Sequence, residues 1–595
     1  MKAFLHAVSF LVRLSWRTDR ARLLKAFALV MVGYLATPLT ALALRDFTNA
    51  ALGGETGAAR LYGLATAVLL IFELLMGHFA HLTYFELGEI EEEALHAELV
   101  RICNGTRGIE HFDSAGFAET MTLVREELGR MRLAVEAVLQ LTGLLVQVLI
   151  TTVVLATVDP WLVLLPLAGF PPVLISNASQ RLVDRAKTAS ASATQLSRHL
   201  LELATTGSSA KEIKLFGIEE RLIGRQRAEW DASARRLGRA QLTAAAARAA
   251  GQAVFAAAYG GALVLVVRRA VDGQVNVGSV VLVIALAVQV SVQVAAGLGL
   301  LSTLQGAGLA VERIGSLRDR VRPDPEPVGD PQDAPARLRS GIRLENVSFG
   351  YPGTDRLVLR DVTVDIPAGS SVALVGENGA GKSTLVKLLC GLYEPSSGRI
   401  LVDGVDLRSL RGRSWQDRVA MLFQDFARLE LLLRENVGIG HVPALGSDAE
   451  VRAALAGAQA EDLVAKVPGG LDGLLGRAYG DGAELSGGQW QKLGLARAGM
   501  RGRPLLLALD EPASALDPSA EHRLFESLVA SSDAAARTVG AVTLFTSHRF
   551  STVRIADLIL VLDGGSVVAS GSHQELMAEQ GLYAELFGMQ ARAYR

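Results

Sequence analysis

The chain has 595 residues, more than one hydrophobic core normally organises, so at least two domains are expected. Its net charge of -2 provides no basic face for neutralising phosphates, which argues against nucleic acid as a partner. Apolar residues make up 50% of the chain, and the mean hydropathy of +0.31 is high for a soluble protein. The excess is concentrated before about Leu304, as membrane spans require.

The segment Met1 to Arg22 interleaves Lys2, Arg13, Arg17, Arg20 and Arg22 with Phe4, Leu5, Val8, Phe10, Leu11, Leu14 and Trp16. That pattern suits an amphipathic helix on the membrane surface rather than a cleavable signal. Roughly six apolar stretches of bilayer length follow, near Leu24–Leu44, Leu61–Tyr84, Val135–Thr157, Trp161–Ile175, Gln252–Val267 and Gly278–Leu301. The fourth carries Pro166, Pro171 and Pro172 and is expected to kink. Arg and Lys crowd the N-terminal segment, Phe85–Ala134 and Ser176–Arg248, which places those segments and both termini in the cytosol. Arg268 and Arg269 then fall on the outside, against that bias.

Phe85–Ala134 and Ser176–Arg248 are charged, proline-free and rich in Ala, Leu, Glu and Arg, a composition that favours continuous helices reaching far beyond the membrane. Each contains a break, at Ile109–Glu119 and Lys211–Leu222, where a cytosolic hairpin tip could touch a partner domain. Within the spans, Glu73, His78, His81, Gln289 and Gln293 are candidates for lining a transport path, or for interhelical packing. Two cysteines, Cys103 and Cys390, build neither a disulfide framework nor a metal site, and both are expected to be inert.

Val321–Ser340 is rich in proline and charge and reads as a linker. The expected domains are therefore 1–320, an all-α six-helix transmembrane domain, and 341–595, an α/β domain, joined by 321–340. In the second domain the β-type run Ser371–Val375 leads directly into Gly376, Glu377, Asn378, Gly379, Ala380, Gly381, Lys382, Ser383 and Thr384, a complete phosphate-binding loop opening a helix. Its glycines let backbone N–H groups close around phosphates at the positive end of that helix. Lys382 supplies a cation to the β- and γ-phosphates, and Ser383 a hydroxyl to Mg²⁺. A second apolar strand ends in Asp510, placed to hold Mg²⁺. Glu511 follows it, placed to orient or polarise the attacking water. ATP and Mg²⁺ are the expected cofactors.

Leu485–Gln489 reads LSGGQ and opens a further helical run. This resembles the signature of the ATP-binding-cassette family, and the resemblance extends over Gly341–Phe587. It implies that Tyr351 stacks on adenine and that Gln424 senses the γ-phosphate and Mg²⁺ as a further metal and catalytic residue. It also implies that Ser514–Asp517 cross a dimer and that His548 contacts the γ-phosphate as a catalytic residue. The signature residues Ser486, Gly487, Gly488 and Gln489 would complete the site of a second subunit, so one chain holds an incomplete site. Because Lys382, Gln424, Asp510, Glu511 and His548 are all present, a homodimer is favoured over pairing with a paralogous half-transporter.

Six spans with long cytosolic hairpins followed by one cassette resemble the exporter-type half-transporters, the type I ABC exporter fold. The resemblance implies ATP-driven export of a peptide, drug or other amphipathic substrate across a bacterial cytoplasmic membrane by alternating access, with the hairpin tips docked on cassettes. Lipid flipping and siderophore import are the alternatives. The run SGGQWQKLGLARA is similar to that of exporters of small ribosomal or lantibiotic-type peptides, whereas Gly476–Glu484 departs from the multidrug-exporter pattern. No N-terminal peptidase precedes the first span, so leader cleavage is not expected of this chain.

Overall fold

The computed structural model describes residues 2–321, 330–476, 480–512, 533–547 and 550–593. These form two compact units, Met1–Leu99 with Thr122–Ser316, and Val100–Met121 with Leu317–Arg595. The tip of the first helical hairpin thus belongs to the same compact unit as the cassette.

The first unit is helical. Six of its helical stretches are long and apolar enough to cross a membrane: Leu5–Leu52, Thr56–Asn104, Met131–Val158, Pro160–Ala189, Glu219–Val271 and Val277–Arg320. Helix α1 (Lys2–Leu52) breaks at Asp19, whose φ of -155° and ψ of 92° are not helical. The Asp19 carboxylate accepts from the N–H groups of Ala21 and Arg22 at 3.0 and 2.9 Å, capping the stretch that becomes the first span. Before the break, Ala7, Leu11 and Ser15 are buried while Arg13 and Arg17 are exposed.

Helices α2 (Thr56–Asn104) and α3 (Ala115–Val158) flank the first hairpin tip. The fourth span is interrupted as its prolines predict. A 3-10 turn at Pro160–Val163 and the short α4 (Leu164–Leu167) precede α5 (Phe170–Ala189). The second hairpin differs from the expected continuous helix. It is divided into α5, α6 (Ala191–Thr205), α7 (Gly207–Phe216) and α8 (Glu219–Val271). Breaks fall at Ser190 and Thr206 as well as at Gly217, which takes the left-handed φ of 59° that turns the chain at the tip. Helix α9 (Val277–Arg320) completes the set.

The two arginines that depart from the expected charge bias lie in the last turn of α8. Arg269 forms an ion pair with Asp159, whose side chain is fully buried where it caps the turn after α3. Of the intramembrane polar residues, Gln293 is 2% exposed, inside the bundle. Glu73 accepts from the Thr37 hydroxyl at 2.7 Å, tying the second span to the first.

The cassette in the second unit has two sheets. The smaller runs β2-β1-β4-β5, all antiparallel, from β1 (Gly341–Phe349), β2 (Leu359–Pro367), β4 (Ser397–Val402) and β5 (Val405–Asp406). The larger runs β10-β9-β3-β8-β7-β6, with β3 (Ser371–Val375), β6 (Val419–Leu422), β7 (Leu506–Asp510), β8 (Val542–Thr546), β9 (Leu558–Asp563) and β10 (Ser566–Gly571). All its neighbours are parallel except the β9–β10 pair. Strands β3, β7 and β8 are apolar throughout most of their length because both faces are covered. Helix α10 (Lys382–Leu389) follows β3, and its Leu385, Leu388 and Leu389 join the core between the sheets. Helices α11 (Leu433–Gly438), α12 (Asp448–Gly457), α13 (Asp462–Lys466) and α14 (Gly487–Gly499) contribute Leu433, Leu455, Leu463 and Leu493 to a second cluster.

Candidate functional site

In a parallel sheet the loops leaving the C-terminal strand ends converge, and ligands bind in the crevice they form. Here β3, β6, β7 and β8 all end at one edge, which gathers residues far apart in sequence. A cavity of about 540 Å³ at this edge is lined by Val358, Asn378, Gly379, Gly381, Lys382, Ser383, Thr384, Gln424, Asp510 and Glu511. Six of the predicted phosphate-loop residues and every predicted metal-binding residue therefore share one concavity.

The loop's backbone explains its composition. Gly376 has φ 154°, and a Cβ there would lie 2.2 Å from the Leu562 carbonyl oxygen. Gly381 has φ 101°, and its Cβ would lie 2.7 Å from the Leu359 side chain. Any other residue at either position would clash as well as strain the backbone. Lys382 Nζ donates to the carbonyl oxygens of Gly376 and Glu377, at 2.7 and 2.9 Å. Those oxygens stand where an ammonium satisfies itself until phosphate oxygens are offered. Burial lowers the Lys382 pKa from its ordinary value, opposed by the carboxylates of Glu511 and Asp510.

The two acidic residues are held by a threonine. In the parallel register Asp510 lies opposite Thr546. The Thr546 hydroxyl donates to Asp510 Oδ1 at 2.6 Å and accepts the Glu511 N–H at 2.9 Å. Glu511 takes φ 51°, left-handed for a non-glycine residue, and its carbonyl accepts from Gln491 Nε2 at 3.0 Å. Gln424 Nε2 donates to Glu511 Oε2 at 3.2 Å, joining the end of β6 to the end of β7. Thr546 and Gln491 were not legible as site residues. The signal for Thr546 is its place at the end of the apolar strand beside the acidic one.

The donor set fits a magnesium nucleotide. The Ser383 hydroxyl, the Asp510 carboxylate and the Gln424 amide are oxygen ligands of the kind Mg²⁺ takes, beside a cation and a helix N-terminus suited to phosphate. Tyr351, two residues after β1, meets the first turn of α10 through its side chain. Its hydroxyl is hydrogen-bonded to Thr384 Oγ1 at 3.0 Å, and its ring packs edge-on against Phe349 and Tyr393. Burial, reinforced by the Asp113 carboxylate, pushes the Tyr393 phenol above the usual tyrosine range, so it remains a donor.

The signature residues are not among those lining the cavity. Ser486 caps α14, its hydroxyl accepting from Gln489 N–H at 3.3 Å while Gln489 Oε1 accepts from Ser486 N–H at 2.8 Å. That reciprocal cap leaves Gly487 and Gly488 at a helix N-terminus with no bulk over the backbone. His548 and Ser514–Asp517 lie outside the described residues.

Val100–Met121 reaches the cassette through several bonds. Ile109 N–H donates to the Leu392 carbonyl at 3.0 Å, Gln416 Nε2 to the Arg107 carbonyl at 2.9 Å, and Arg107 to the Leu410 carbonyl at 3.0 Å. At the other hairpin tip, Leu215 is 79% and Phe216 68% exposed.

Residues 359–514 match the family model described as ABC transporter, and residues 23–294 the model described as ABC transporter transmembrane region. The chain is 39% identical over 245 residues to the subtilin transport ATP-binding protein of Bacillus subtilis, covering 41% of this chain and 39% of that protein. It is 40% identical over 291 residues to the ATP-dependent lipid A-core flippase of Burkholderia pseudomallei, covering 48% of this chain and 46% of the relative. The chain thus matches less than half the length of these two relatives. Among solved structures, a bacterial Atm1-family ABC exporter with ATP bound superposes with a TM-score of 0.78 at 24% identity, over 96% of this chain and 99% of that one, a likeness of fold.

Proposed function

From a chain that belongs to the ABC transporters, with their transmembrane region and ATP-binding domain in one polypeptide, we infer an ATPase that drives a substrate outward across a membrane. The observation that carries this reading is the cavity uniting Asn378, Lys382, Ser383, Gln424, Asp510 and Glu511 at one sheet edge, without the signature residues 486–489. A phosphate site whose loop, Lys382, Gln424 and acidic pair share one cavity, with its signature elsewhere, is one that a second copy completes. The partner is therefore a second copy of this chain, placed in the bilayer as a multi-pass protein with both termini cytosolic.

The residues divide the work as follows. Backbone N–H groups of the loop and Lys382 hold the phosphates. Ser383, Asp510 and Gln424 would hold Mg²⁺, which supplies neutralisation of charge on the β- and γ-phosphate oxygens. The Glu511 carboxylate orients the water and takes its proton as the water oxygen bonds to the γ-phosphorus. The bond from that phosphorus to the bridging oxygen breaks, leaving ADP and phosphate. The bond from Gln424 to Glu511 makes the general base sensitive to the position of β6's end. Ser486, Gly487 and Gly488 of each copy approach the γ-phosphate on the other, and Tyr351 carries the adenine. Two bound nucleotides favour one arrangement of the dimer, and their hydrolysis releases it, which is alternating access. The exposed Leu215 and Phe216 suit docking of the second hairpin tip on the partner's cassette.

For the cargo, the likeness to the subtilin transporter supports an amphipathic peptide, and the likeness to lipid A-core flippases supports a lipid as the alternative. The test is Glu511→Gln in purified protein reconstituted in lipid. Hydrolysis is expected to fall by about 10²-fold or more, with ATP still bound and an ATP-trapped dimer accumulating. Wild-type turnover in that variant would overturn the assignment.

A further inference from the structure

We infer that Tyr393 is a positioning residue that mechanically joins the base-contacting ring of Tyr351 to the hairpin-tip segment around Asp113. The inference rests on the reading of Tyr351 as the adenine platform and extends it to a route by which base occupancy reaches the 105–114 segment.

The route is built from adjacent contacts. Tyr393 follows α10 through a turn at Gly391, whose φ is 70°. Its side chain is 3% exposed and stands among two other aromatic rings. The centroids of Tyr393 and Tyr351 are 5.5 Å apart at an interplanar angle of 84°, and those of Tyr393 and Phe349 are 5.4 Å apart at 67°. Phe349 in turn meets Tyr351 at 5.1 Å and 78°. Three rings meeting edge to face have a preferred mutual geometry, so a tilt of one is resisted by the other two. Lys387 Nζ lies 5.8 Å from the centre of the Tyr351 ring and 6.0 Å from that of Tyr393, a shared cation over both faces.

The far end of Tyr393 leaves the cassette. Its hydroxyl donates to Asp113 Oδ2, at the end of the 3-10 turn Glu110–Asp113. Immediately before Tyr393, the Leu392 carbonyl accepts from Ile109 N–H. Two consecutive residues thus grip the same turn, one by backbone and one by side chain. The bonds from Arg107 to the Leu410 carbonyl and from Gln416 to the Arg107 carbonyl also hold the segment to the cassette. A cavity of about 670 Å³ beside this junction, lined in part by His111, Ser114, Tyr393 and Trp415, leaves the turn room to shift.

Tyr351 is held at its own tip by Thr384, two residues after Lys382 on α10. A base seated against Tyr351 therefore sets the angle of a ring already tied to the phosphate loop at one end. Through the edge contact, that angle is passed to Tyr393 and so to Asp113. Phosphate recognition alone does not require this path, which predicts that the base and the triphosphate have separable effects on the 105–114 segment.

The experiment uses the full chain in lipid nanodiscs, with Mg²⁺ and either a non-hydrolysable ATP analogue or inorganic tripolyphosphate. Hydrogen exchange is read at peptides covering 105–114 and 487–499. In the wild type, the ATP analogue is expected to slow exchange in 105–114 by about threefold or more, and tripolyphosphate to have little effect there. Tyr393→Phe keeps the ring and its packing, and leaves only an exposed Asp113 carboxylate for water to solvate. It is expected to abolish the 105–114 response while retaining that of 487–499, and Asp113→Asn is expected to reproduce this. Tyr351→Ala serves as the control for the underlying reading, expected to weaken the ATP analogue and leave tripolyphosphate unchanged. If Tyr351→Ala leaves affinity for the analogue intact, the adenine assignment fails. If that control behaves as expected but 105–114 still responds in both Tyr393→Phe and Asp113→Asn, the relay is refuted. A wild-type response equal for tripolyphosphate and the analogue refutes it as well.

Discussion

Thr546→Val is the substitution that most directly tests how the acidic pair is held. Thr546 is 1% exposed at the end of β8, and its hydroxyl serves Asp510 Oδ1 at 2.6 Å and the Glu511 N–H at 2.9 Å. Valine keeps the shape and the β-branching and removes both bonds. A hydrogen bond to a charged group contributes about 1.5–3 kcal/mol, and a buried polar group deprived of its partner costs about 1–3 kcal/mol. The cassette is therefore expected to lose about 2–4 kcal/mol of stability. Catalysis is affected through a second term. Glu511 sits at φ 51°, a left-handed conformation that costs roughly 1–2 kcal/mol in a residue with a Cβ. Its N–H bond to Thr546 and the bond from Gln491 to its carbonyl hold it there. With one of the two removed, the backbone relaxes and the carboxylate leaves its position. Since about 1.4 kcal/mol is tenfold in rate, kcat for ATP is expected to fall roughly 10- to 100-fold. KM is expected to change less than kcat, because Lys382 and the glycine loop, which hold the phosphates, are untouched. Steady-state ATPase kinetics in nanodiscs and thermal unfolding of the same samples measure both terms. Thr546→Ser, which retains the hydroxyl, is expected to recover most of the rate. A valine variant with kcat within twofold of the wild type and an unchanged melting temperature would refute the reasoning.

Three further outcomes are expected. Cys390 is buried, which pushes its thiol to about 12, whereas Cys103 is half-buried, so iodoacetamide at pH 8 should label Cys103 well before Cys390 in the native protein. Equal labelling by mass spectrometry before denaturant is added would contradict the packing around α10. Burial alone would raise the Asp403 carboxyl, but the N–H groups of Gly341, Arg339 and Ser340 outweigh it and hold the pKa below the ordinary aspartate value. A lowered folded pKa contributes stability above the unfolded value and loses it as pH falls through the folded one. Asp403→Asn should therefore be less stable than the wild type at pH 7, with the gap closing below about pH 4. A gap independent of pH in denaturation curves would exclude the charge as its cause. Phe216→Asp alters a side chain 68% exposed at the tip of the second hairpin, so thermal stability of the isolated subunit should change little. ATP-dependent cross-linking of that tip to a second copy should be lost, and its persistence would remove the tip from the dimer contact.

Local signals in the chain were enough for much of the cassette. The run from Ser371 to Thr384 states a strand, a loop and a helix start in order, and its glycines are needed where φ reaches 154° and 101°. Asp510 and Glu511 were legible because an apolar strand ends in them. The six spans were legible because bilayer length is a property of contiguous residues. The extra breaks at Ser190 and Thr206 were not, since Ala, Ser and Thr around them are compatible with an uninterrupted helix. The ion pair of Arg269, in the last turn of α8, with Asp159 was not legible either, because the two are far apart in sequence.

By itself, then, the sequence determined everything that depends on neighbours within a turn or a strand: membrane span, phosphate loop, acidic strand end and signature cap. Tertiary structure alone decided which distant residues meet. Thr546 reaches Asp510 only because β7 and β8 pair in parallel register, and Tyr393 reaches Asp113 only because the turn at 110–113 lies against the end of α10. The physical reason is that the backbone pattern of a segment encodes its own hydrogen bonds and burial, whereas the partner of a polar side chain is selected by packing between segments. A threonine or a tyrosine carries no mark of that partner in its own neighbourhood.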